Sequence, residues 1–345
     1  MKGKYLSVLL FLSALPASAA GTGSEALSFL KIDTGARAAA LGGAYAALGD
    51  DASSVFYNPA GTAFVDRKEF IFSHDQWLDG LQHESVAYVQ PVNTVYTAFA
   101  GTNLLLSGEM DRLDASGDKL EDFQTVEGEL SLGFAADLGR DWLAGAAFKG
   151  LSQAGFGRKA STVAGDAGVL AGFGRLRLGA SVSNLGGAIK FGSYTFQLPV
   201  IMRAGASQAL NDHLWLAADY VKAGSADGAL CAGAEAALNM KADELFFVRA
   251  GYRTGRTGAA GGSFTAGVGL REKDMRLDYA YVPYGVLGVT HRLSLSINFG
   301  VVRDQLPKIK HYPRGYAVPR EREPVSIKKK PSETKKAPSI APFTW

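Results

Sequence analysis

Residues 287–299 read LGVTHRLSLSINF, and their side chains alternate between two chemical classes. The odd positions are apolar apart from His291, and the even positions carry Gly, Thr, Arg, Ser and Asn. A period of two places the two sets on opposite faces of a β-strand. The stretch therefore predicts a strand in a sheet with one apolar and one polar face.

Similar alternation recurs upstream, where turn signals separate the segments. About fourteen strands are predicted, at residues 69–75, 81–90, 92–103, 122–136, 141–154, 161–173, 174–184, 199–211, 212–221, 226–238, 243–254, 260–271, 273–284 and 287–300.

Two all-β folds fit this pattern, a soluble sandwich and a transmembrane barrel, and periodicity alone does not separate them. Three features favour the barrel. Many segments reach about ten residues, the length of a tilted membrane strand. Their apolar faces often carry small residues such as Ala146 and Ala167, which lipid accepts but a sandwich core would not. Aromatic residues such as Trp142 and Tyr281 gather near segment ends, as in interfacial girdles. We therefore predict an all-β fold, a transmembrane antiparallel β-barrel of about 14 strands.

An even strand count brings both ends of a barrel to the same side, which for a bacterial outer-membrane barrel is the periplasm. Long loops should then follow odd-numbered strands. Residues 104–121 and 185–198 follow the third and seventh predicted strands, as this topology requires. We expect both termini of the protein to be periplasmic.

The first residues resemble a secretory signal. Lys2 and Lys4 precede an apolar core at residues 6–15, and Ala17-Ser18-Ala19 forms a small-residue cleavage site. We expect residues 1–19 to be a signal peptide that is removed in the bacterial envelope, so that the mature chain begins at Ala20.

The other end of the chain has a different composition. Residues 306–345 contain ten Lys/Arg, three Asp/Glu and seven of the twelve prolines, whereas residues 20–305 have a net charge of −6. Such a segment lacks the apolar periodicity that builds a core, so it is expected to be a disordered basic Pro/Lys-rich periplasmic tail. The barrel is predicted to span residues 67–305. Export excludes nucleic acid as a partner of the basic run, and the tail's own role stays open.

Between signal and barrel lies a stretch of small residues, GARAAALGGAYAALGDDASSVFYNPAG, at residues 35–61. Asp50 is placed to cap a short helix over residues 51–57. Asn58, Pro59, Ala60 and Gly61 form a turn signal. Closely packing small residues suit a plug inside a pore, and equally a loop and helix packed outside a sheet.

This stretch resembles the N-terminal signature of the PorV/PorQ family, which is similar to the FadL-type outer-membrane transporters. The resemblance covers about residues 20–300. It implies a fourteen-stranded barrel with residues 20–66 as a hatch in the lumen and Asn58–Gly61 as the turn of that hatch. It also implies a role in type IX-type secretion or cargo handling, with secreted cargo or secretion-apparatus components as partners besides outer-membrane lipid. The alternative is FadL-like passive transport of hydrophobic small molecules.

Charged residues on the polar faces are candidates for the lumen lining. They are Glu127, Glu129, Asp166, Arg175, Arg177, Arg203, Asp219, Arg249, Arg276, Asp278 and Arg292. They form either a salt-bridge network that satisfies buried charge or a surface that contacts a solute. No histidine has the neighbours of a catalytic triad or a metal site, and Cys231 is the only cysteine. We therefore expect no enzyme activity, no metal and no cofactor.

Overall fold

The computed structural model describes residues 25–155, 157–241, 243–255 and 264–306. The predicted signal peptide and residues 307–345 of the predicted tail lie outside them. The strands are β1 Lys68–Gln76, β2 Gln82–Pro91, β3 Tyr96–Leu106, β4 Met110–Leu113, β5 Lys119–Phe123, β6 Val126–Gly139, β7 Trp142–Gly155, β8 Arg158–Phe173, β9 Leu176–Gly186, β10 Ile189–Phe191, β11 Tyr194–Phe196, β12 Ile201–Ala209, β13 Leu214–Ala223, β14 Ala229–Lys241, β15 Glu244–Arg253, β16 Phe264–Glu272, β17 Met275–Pro283 and β18 Val289–Phe299.

Fourteen of these strands form one closed antiparallel barrel, and the other four form the hairpins β4–β5 and β10–β11. The barrel closes between β1 and β18, where Lys68 lies opposite Phe299 and Gln76 opposite His291. Closure leaves no unpaired edge of the sheet, which lipid would not tolerate. The predicted fold is confirmed. No helix among the described residues is long and apolar enough to cross a bilayer.

The alternation along β6 shows which face of the sheet is which. Leu130, Leu132 and Phe134 are more than half exposed on the outside of the barrel. Glu129 and Ser131, on the opposite face, are buried. An apolar outer face and a polar inner face match a barrel surrounded by lipid rather than a sandwich with an apolar core.

The two ends of the barrel differ in their connections. At one end, the short-turn end, neighbouring strands are joined by two to four residues. The other end, the long-loop end, carries the loops that contain the β4–β5 and β10–β11 hairpins. These loops follow the third and seventh strands of the barrel.

Residues 25–66, here called the lumenal segment, are enclosed by the strands. Their helices are 3-10 Ser28–Lys31, α1 Ala36–Ala40, 3-10 Ala52–Phe56 and 3-10 Pro59–Phe64. These helices are short because close contact with the wall, rather than a long run of intrahelical hydrogen bonds, fixes the backbone.

One local prediction in this segment needs correction. The cap of the helix after Gly49 is Asp51, not Asp50, and its side chain accepts a hydrogen bond from the Ser53 N–H. The predicted Asn58–Gly61 turn is present, since the Gly61 N–H donates to the Asn58 carbonyl oxygen at 2.9 Å. It continues into the 3-10 helix Pro59–Phe64, which the Asn58 side chain caps by accepting from the Ala60 N–H. Gly61 is required by close approach rather than by a positive φ, since a Cβ there would lie 2.5 Å from the Gly49 carbonyl oxygen.

The lumenal segment crosses the barrel from end to end. Glu25 pairs with Gln197 and accepts a 2.6 Å hydrogen bond from the Ser225 N–H, both at the long-loop end. The segment leaves at the short-turn end, where Lys68 begins β1 beside Phe299. The two ends of the barrel thus share one side, but Glu25 lies on the other. An even number of strands determines that the first strand begins and the last strand ends on the same side. It does not reveal a segment that crosses the lumen before the first strand.

The outer face offers a direct test of the membrane assignment. Leu132→Arg places a charge at the middle of β6, and we expect it to lower the free energy of unfolding in lipid by about 2–4 kcal/mol. Leu113→Arg, on the β4–β5 hairpin, is the control because Leu113 and Leu132 are both 55% exposed. Denaturant unfolding in vesicles measures both. Equal effects would show that the β6 face does not contact lipid.

Candidate functional site

Glycines on the inner wall let the lumenal segment lie directly against the strands. A Cβ on Gly145 would come 2.5 Å from the Ala60 nitrogen, and one on Gly267 would come 2.5 Å from the Ala40 Cβ. Further wall glycines that meet this segment are Gly101, Gly168, Gly179, Gly233 and Gly251. Any side chain at these positions would push the segment off the wall.

These seven wall glycines are here called the glycine belt, and cross-strand pairing joins four of them in two pairs. Gly145 lies opposite Gly168, and Gly233 lies opposite Gly251. The belt is the surface on which the lumenal segment turns around the interior of the barrel.

Arg37 of α1 attaches the lumenal segment to the wall electrostatically. Its guanidinium donates two hydrogen bonds to Glu235 on β14, at 2.8 and 2.7 Å. It also donates to Asp50 at 2.7 Å and to Asp51 at 3.0 Å within its own segment. Arg37 is buried, so these contacts are shielded from water.

The wall continues this arrangement into a closed ring of alternating charges. Arg249 donates to Glu235 at 2.5 Å and to Asp278 at 2.8 Å. Arg276 donates to Asp278 at 2.7 Å and to Asp51 at 2.8 Å. The ion-pair ring therefore runs Arg37, Glu235, Arg249, Asp278, Arg276, Asp51 and back to Arg37. Its three cations and three anions balance, which makes buried charge tolerable.

Asp51 shows how the ring balances buried negative charge with positive charge. Arg276 and Arg37 donate to the same Asp51 oxygen, at 2.8 and 3.0 Å, and so supply the positive charge that a buried carboxylate needs. The Tyr45 hydroxyl also donates to Asp51 at 2.7 Å. Hydrogen-bond donors from the protein thus surround the Asp51 carboxyl group where water is excluded.

A second anchor uses the backbone of the lumenal segment. Asp219 on β13 accepts hydrogen bonds from the Tyr45 and Ala46 N–H groups, both at 2.7 Å. These two bonds satisfy buried backbone donors that lie between the helices of the segment.

Charged clusters nearer the long-loop end complete the lining. Lys149 lies 3.2 Å from Glu129 and 2.9 Å from Asp166. Arg253 contacts Asp33 of the lumenal segment at 2.9 Å.

The sequence-derived lumen candidates fall into these groups. The ion-pair ring contains Arg249, Arg276 and Asp278. Glu129 and Asp166 contact Lys149, Arg177 contacts Asp50, and Arg292 contacts Asp75. Asp219 accepts hydrogen bonds from backbone N–H groups, Arg203 lies over the Tyr57 ring, and half-buried Glu127 accepts a hydrogen bond from Gln153. Arg175 is not a lining residue. It lies in the β8–β9 turn, exposed, and pairs with Asp212. The sequence analysis continued the alternation of β9 into a residue that precedes the strand.

Three central residues were missed, namely Arg37, Lys149 and Glu235. Glu235 does follow the inward phase of β14, with Gly233 and buried Cys231. Its position was therefore readable from the alternation, although its partner was not.

A small polar cavity lies beside the charged cluster of Lys149, Glu129 and Asp166, with room for about one water molecule. Arg203, 6% exposed, lines it with Ser183 and Asn103. The Arg203 Nε and Nη1 groups have no hydrogen-bond partner within the protein. Leu30 and Ile32 of the lumenal segment also line this cavity, which joins it to an apolar cluster.

That apolar cluster, here called the mouth cluster, lies toward the long-loop end. Leu27, Phe29 and Leu30 come from the lumenal segment and are buried. The wall and the β10–β11 loop contribute Leu151, Ala160, Ala164, Ile189 and Leu198. Side chains of the lumenal segment thus fill an apolar recess near the long-loop end of the lumen.

Solved structures share this architecture. The Ralstonia pickettii toluene transporter TbuX is 14% identical, with a TM-score of 0.57 over 77% of this chain and 98% of its own. The chain has the fold of FadL-type outer-membrane transporters. The Pseudomonas putida toluene transporter TodX is 12% identical, with a TM-score of 0.56, and a Pseudomonas aeruginosa FadL homologue is 12% identical, with a TM-score of 0.52; each covers 77% of this chain and 98% of its own.

Comparison by sequence gives less information than comparison by structure. Residues 16–162 match a family described only as "Uncharacterised protein family (UPF0164)". A search of curated proteins finds no significant match. The FadL-like part of the predicted resemblance is therefore supported by structure, whereas the PorV/PorQ assignment stays a prediction.

The ion-pair ring can be tested by removing its cation from the lumenal segment. Arg37→Met leaves buried carboxylates without their partner, and we expect a loss of about 3–5 kcal/mol in the stability of the folded protein. The control is Arg112→Met on the β4–β5 hairpin, where the pair with Glu121 is exposed and should contribute at most about 1 kcal/mol. Urea unfolding in detergent micelles compares them. A similarly small loss of stability in both variants would show that the ion-pair ring does not stabilise the folded protein.

Proposed function

We propose that this protein is a passive outer-membrane channel for small hydrophobic molecules, closed by the lumenal segment acting as a hatch. The observation that carries this proposal is the mouth cluster. A recess lined by Leu151, Ile189 and Leu198 is filled by Phe29 and Leu30 of the chain itself. An apolar solute that reaches the long-loop end would gain the same burial by taking their place.

The contacts around the recess suit this exchange. Glu25, the first described residue, is tied to Lys31 at 2.5 Å and to the Ser225 N–H. These bonds lie near the surface and are weaker than the buried ring that holds Arg37. The start of the hatch can therefore yield while α1 stays fixed to the wall.

The structural relatives support transport rather than catalysis. TbuX and TodX are described as toluene transporters and share the barrel architecture of this chain. Among the described residues, no three His, Cys, Asp or Glu side chains form a group that could hold a metal ion. We propose no enzymatic role.

Uptake of a hydrophobic fluorophore, N-phenyl-1-naphthylamine, tests the proposal. The cells should carry lipopolysaccharide in the outer membrane, because it slows apolar solutes. We expect faster uptake on expression of the protein, and faster still with Phe29→Ala, which vacates part of the recess. Phe134→Ala is the control, since Phe134 is 65% exposed on the outer face. Uptake equal to that of cells without the protein would contradict a channel function.

A second candidate function is the handling of secreted cargo, as the PorV/PorQ resemblance implies. The favouring observation is the β4–β5 hairpin, which presents Leu113 and Leu120 to solvent, 55% and 57% exposed. Exposed apolar side chains on a projecting hairpin are typical of contact surfaces. Deleting residues 110–123 should abolish co-purification of secreted proteins if this role is correct, while fluorophore uptake should persist.

A further inference from the structure

The small polar cavity beside Lys149 directly adjoins the recess of the mouth cluster. Lys149 lines the cavity, and Leu151, two residues further along β7 on the same inner face, belongs to the mouth cluster. At about 3.3 Å per residue, the cavity lies about 7 Å further along the strand from the long-loop end than the recess does. Leu30 of the lumenal segment lines both. A small solute that displaces Leu30 from the recess therefore has a polar pocket at its inner end.

The cavity contains buried polar groups that lack partners among the described residues. The Arg203 Nε and Nη1 groups have no hydrogen-bond acceptor, although only 6% of Arg203 is exposed. The Asn103 Oδ1 has no donor, and Asn103 is buried as well. Buried polar groups without partners are costly. The cavity therefore favours an occupant that accepts a hydrogen bond from Arg203 and donates one to Asn103.

The size and the charge of the cavity restrict this occupant to one neutral oxygen. The room for about one water molecule is also the space that a single hydroxyl group needs. The charges that line or contact the cavity already balance, because two cations, Lys149 and Arg203, stand against two anions, Glu129 and Asp166. A carboxylate would bring a second oxygen and a negative charge that this balance does not offset.

We propose that this cavity, here called the head-group site, binds the hydroxyl of an otherwise apolar solute whose hydrocarbon part occupies the recess. The inference rests on the proposed channel function, since it requires a solute to take the place of Phe29 and Leu30. The hydroxyl accepts from the Arg203 guanidinium and donates to the Asn103 Oδ1. The preferred solutes are then neutral alcohols and phenols about the size of an aromatic side chain, rather than pure hydrocarbons or carboxylic acids.

Binding of three matched ligands to the full chain in lipid nanodiscs tests this selectivity. Ethylbenzene, 2-phenylethanol and phenylacetate share a phenyl ring and a two-carbon chain and differ in the terminal group. A wholly apolar recess would bind 2-phenylethanol about tenfold or more weakly than ethylbenzene, because it would bury the hydroxyl unpaired. We expect 2-phenylethanol to bind at least as tightly as ethylbenzene, and phenylacetate to bind about tenfold or more weakly than either. Calorimetric titration, corrected with empty nanodiscs, measures all three.

Substitution of Arg203 tests whether the selectivity arises at the head-group site. Arg203→Met removes the donors, and we expect it to lower the affinity for 2-phenylethanol relative to ethylbenzene about tenfold. The control is Arg177→Met at the short-turn end, because Arg177 is also a buried arginine over an aromatic ring, that of Phe64. It does not line the cavity and should keep the wild-type ratio. Heat-modifiable mobility shows whether each variant forms a barrel, and the wild-type series decides if Arg203→Met does not.

The results separate failure of the head-group site from failure of the channel. Ethylbenzene binding accompanied by weaker 2-phenylethanol binding, or an unchanged ratio in Arg203→Met, would overturn the head-group site and leave the channel in place. If none of the three ligands binds, the recess does not accept solutes, and the proposed function is wrong together with this inference.

Discussion

The ion-pair ring closed by Arg37 is the interaction on which the interior of this barrel depends. Four of its members stand on strands β14, β15 and β17, and two belong to the lumenal segment. Each buried arginine lies between carboxylates, and none of the six charges would be tolerable alone in a water-poor interior. The wall therefore needs the segment as much as the segment needs the wall. The lumen is a packed, charge-balanced core rather than an open pore.

The glycine belt makes this balance possible. The absence of side chains at wall positions such as Gly145 and Gly267 lets the lumenal segment contact the wall directly. That approach brings the Arg37 guanidinium within 3 Å of Glu235. The closed ladder of backbone hydrogen bonds stabilises the barrel itself, while packing and ion pairs fix what fills it. Apolar contacts line the whole length of the segment, and those of the mouth cluster lie nearest the long-loop end, where exchange with a solute is feasible.

Sequence alone predicted the wall well and its contents less well. The alternation in residues 287–299 determines which side chains face lipid, because a β-strand has a fixed period of two. It does not determine partners: Arg37 and Glu235 are 198 positions apart, and periodicity carries no information about which inward charges meet. Arg175 was misplaced because a phase argument does not show where a strand ends. Asp50 and Asp51 are chemically equivalent as helix caps, so only the backbone path distinguishes them. Glu25 lies at the unexpected end because strand parity is silent about a segment that crosses the lumen.

The most direct measurement of the central claim is ion conductance in planar bilayers. The full chain should be compared with a chain that lacks residues 25–64, after heat-modifiable mobility has shown that both form barrels. If the lumenal segment closes the lumen, the full chain should conduct little, and the shortened chain should show a large, steady conductance. Equal conductance in the two proteins would contradict the account, because it would mean that the segment does not block the path through the barrel.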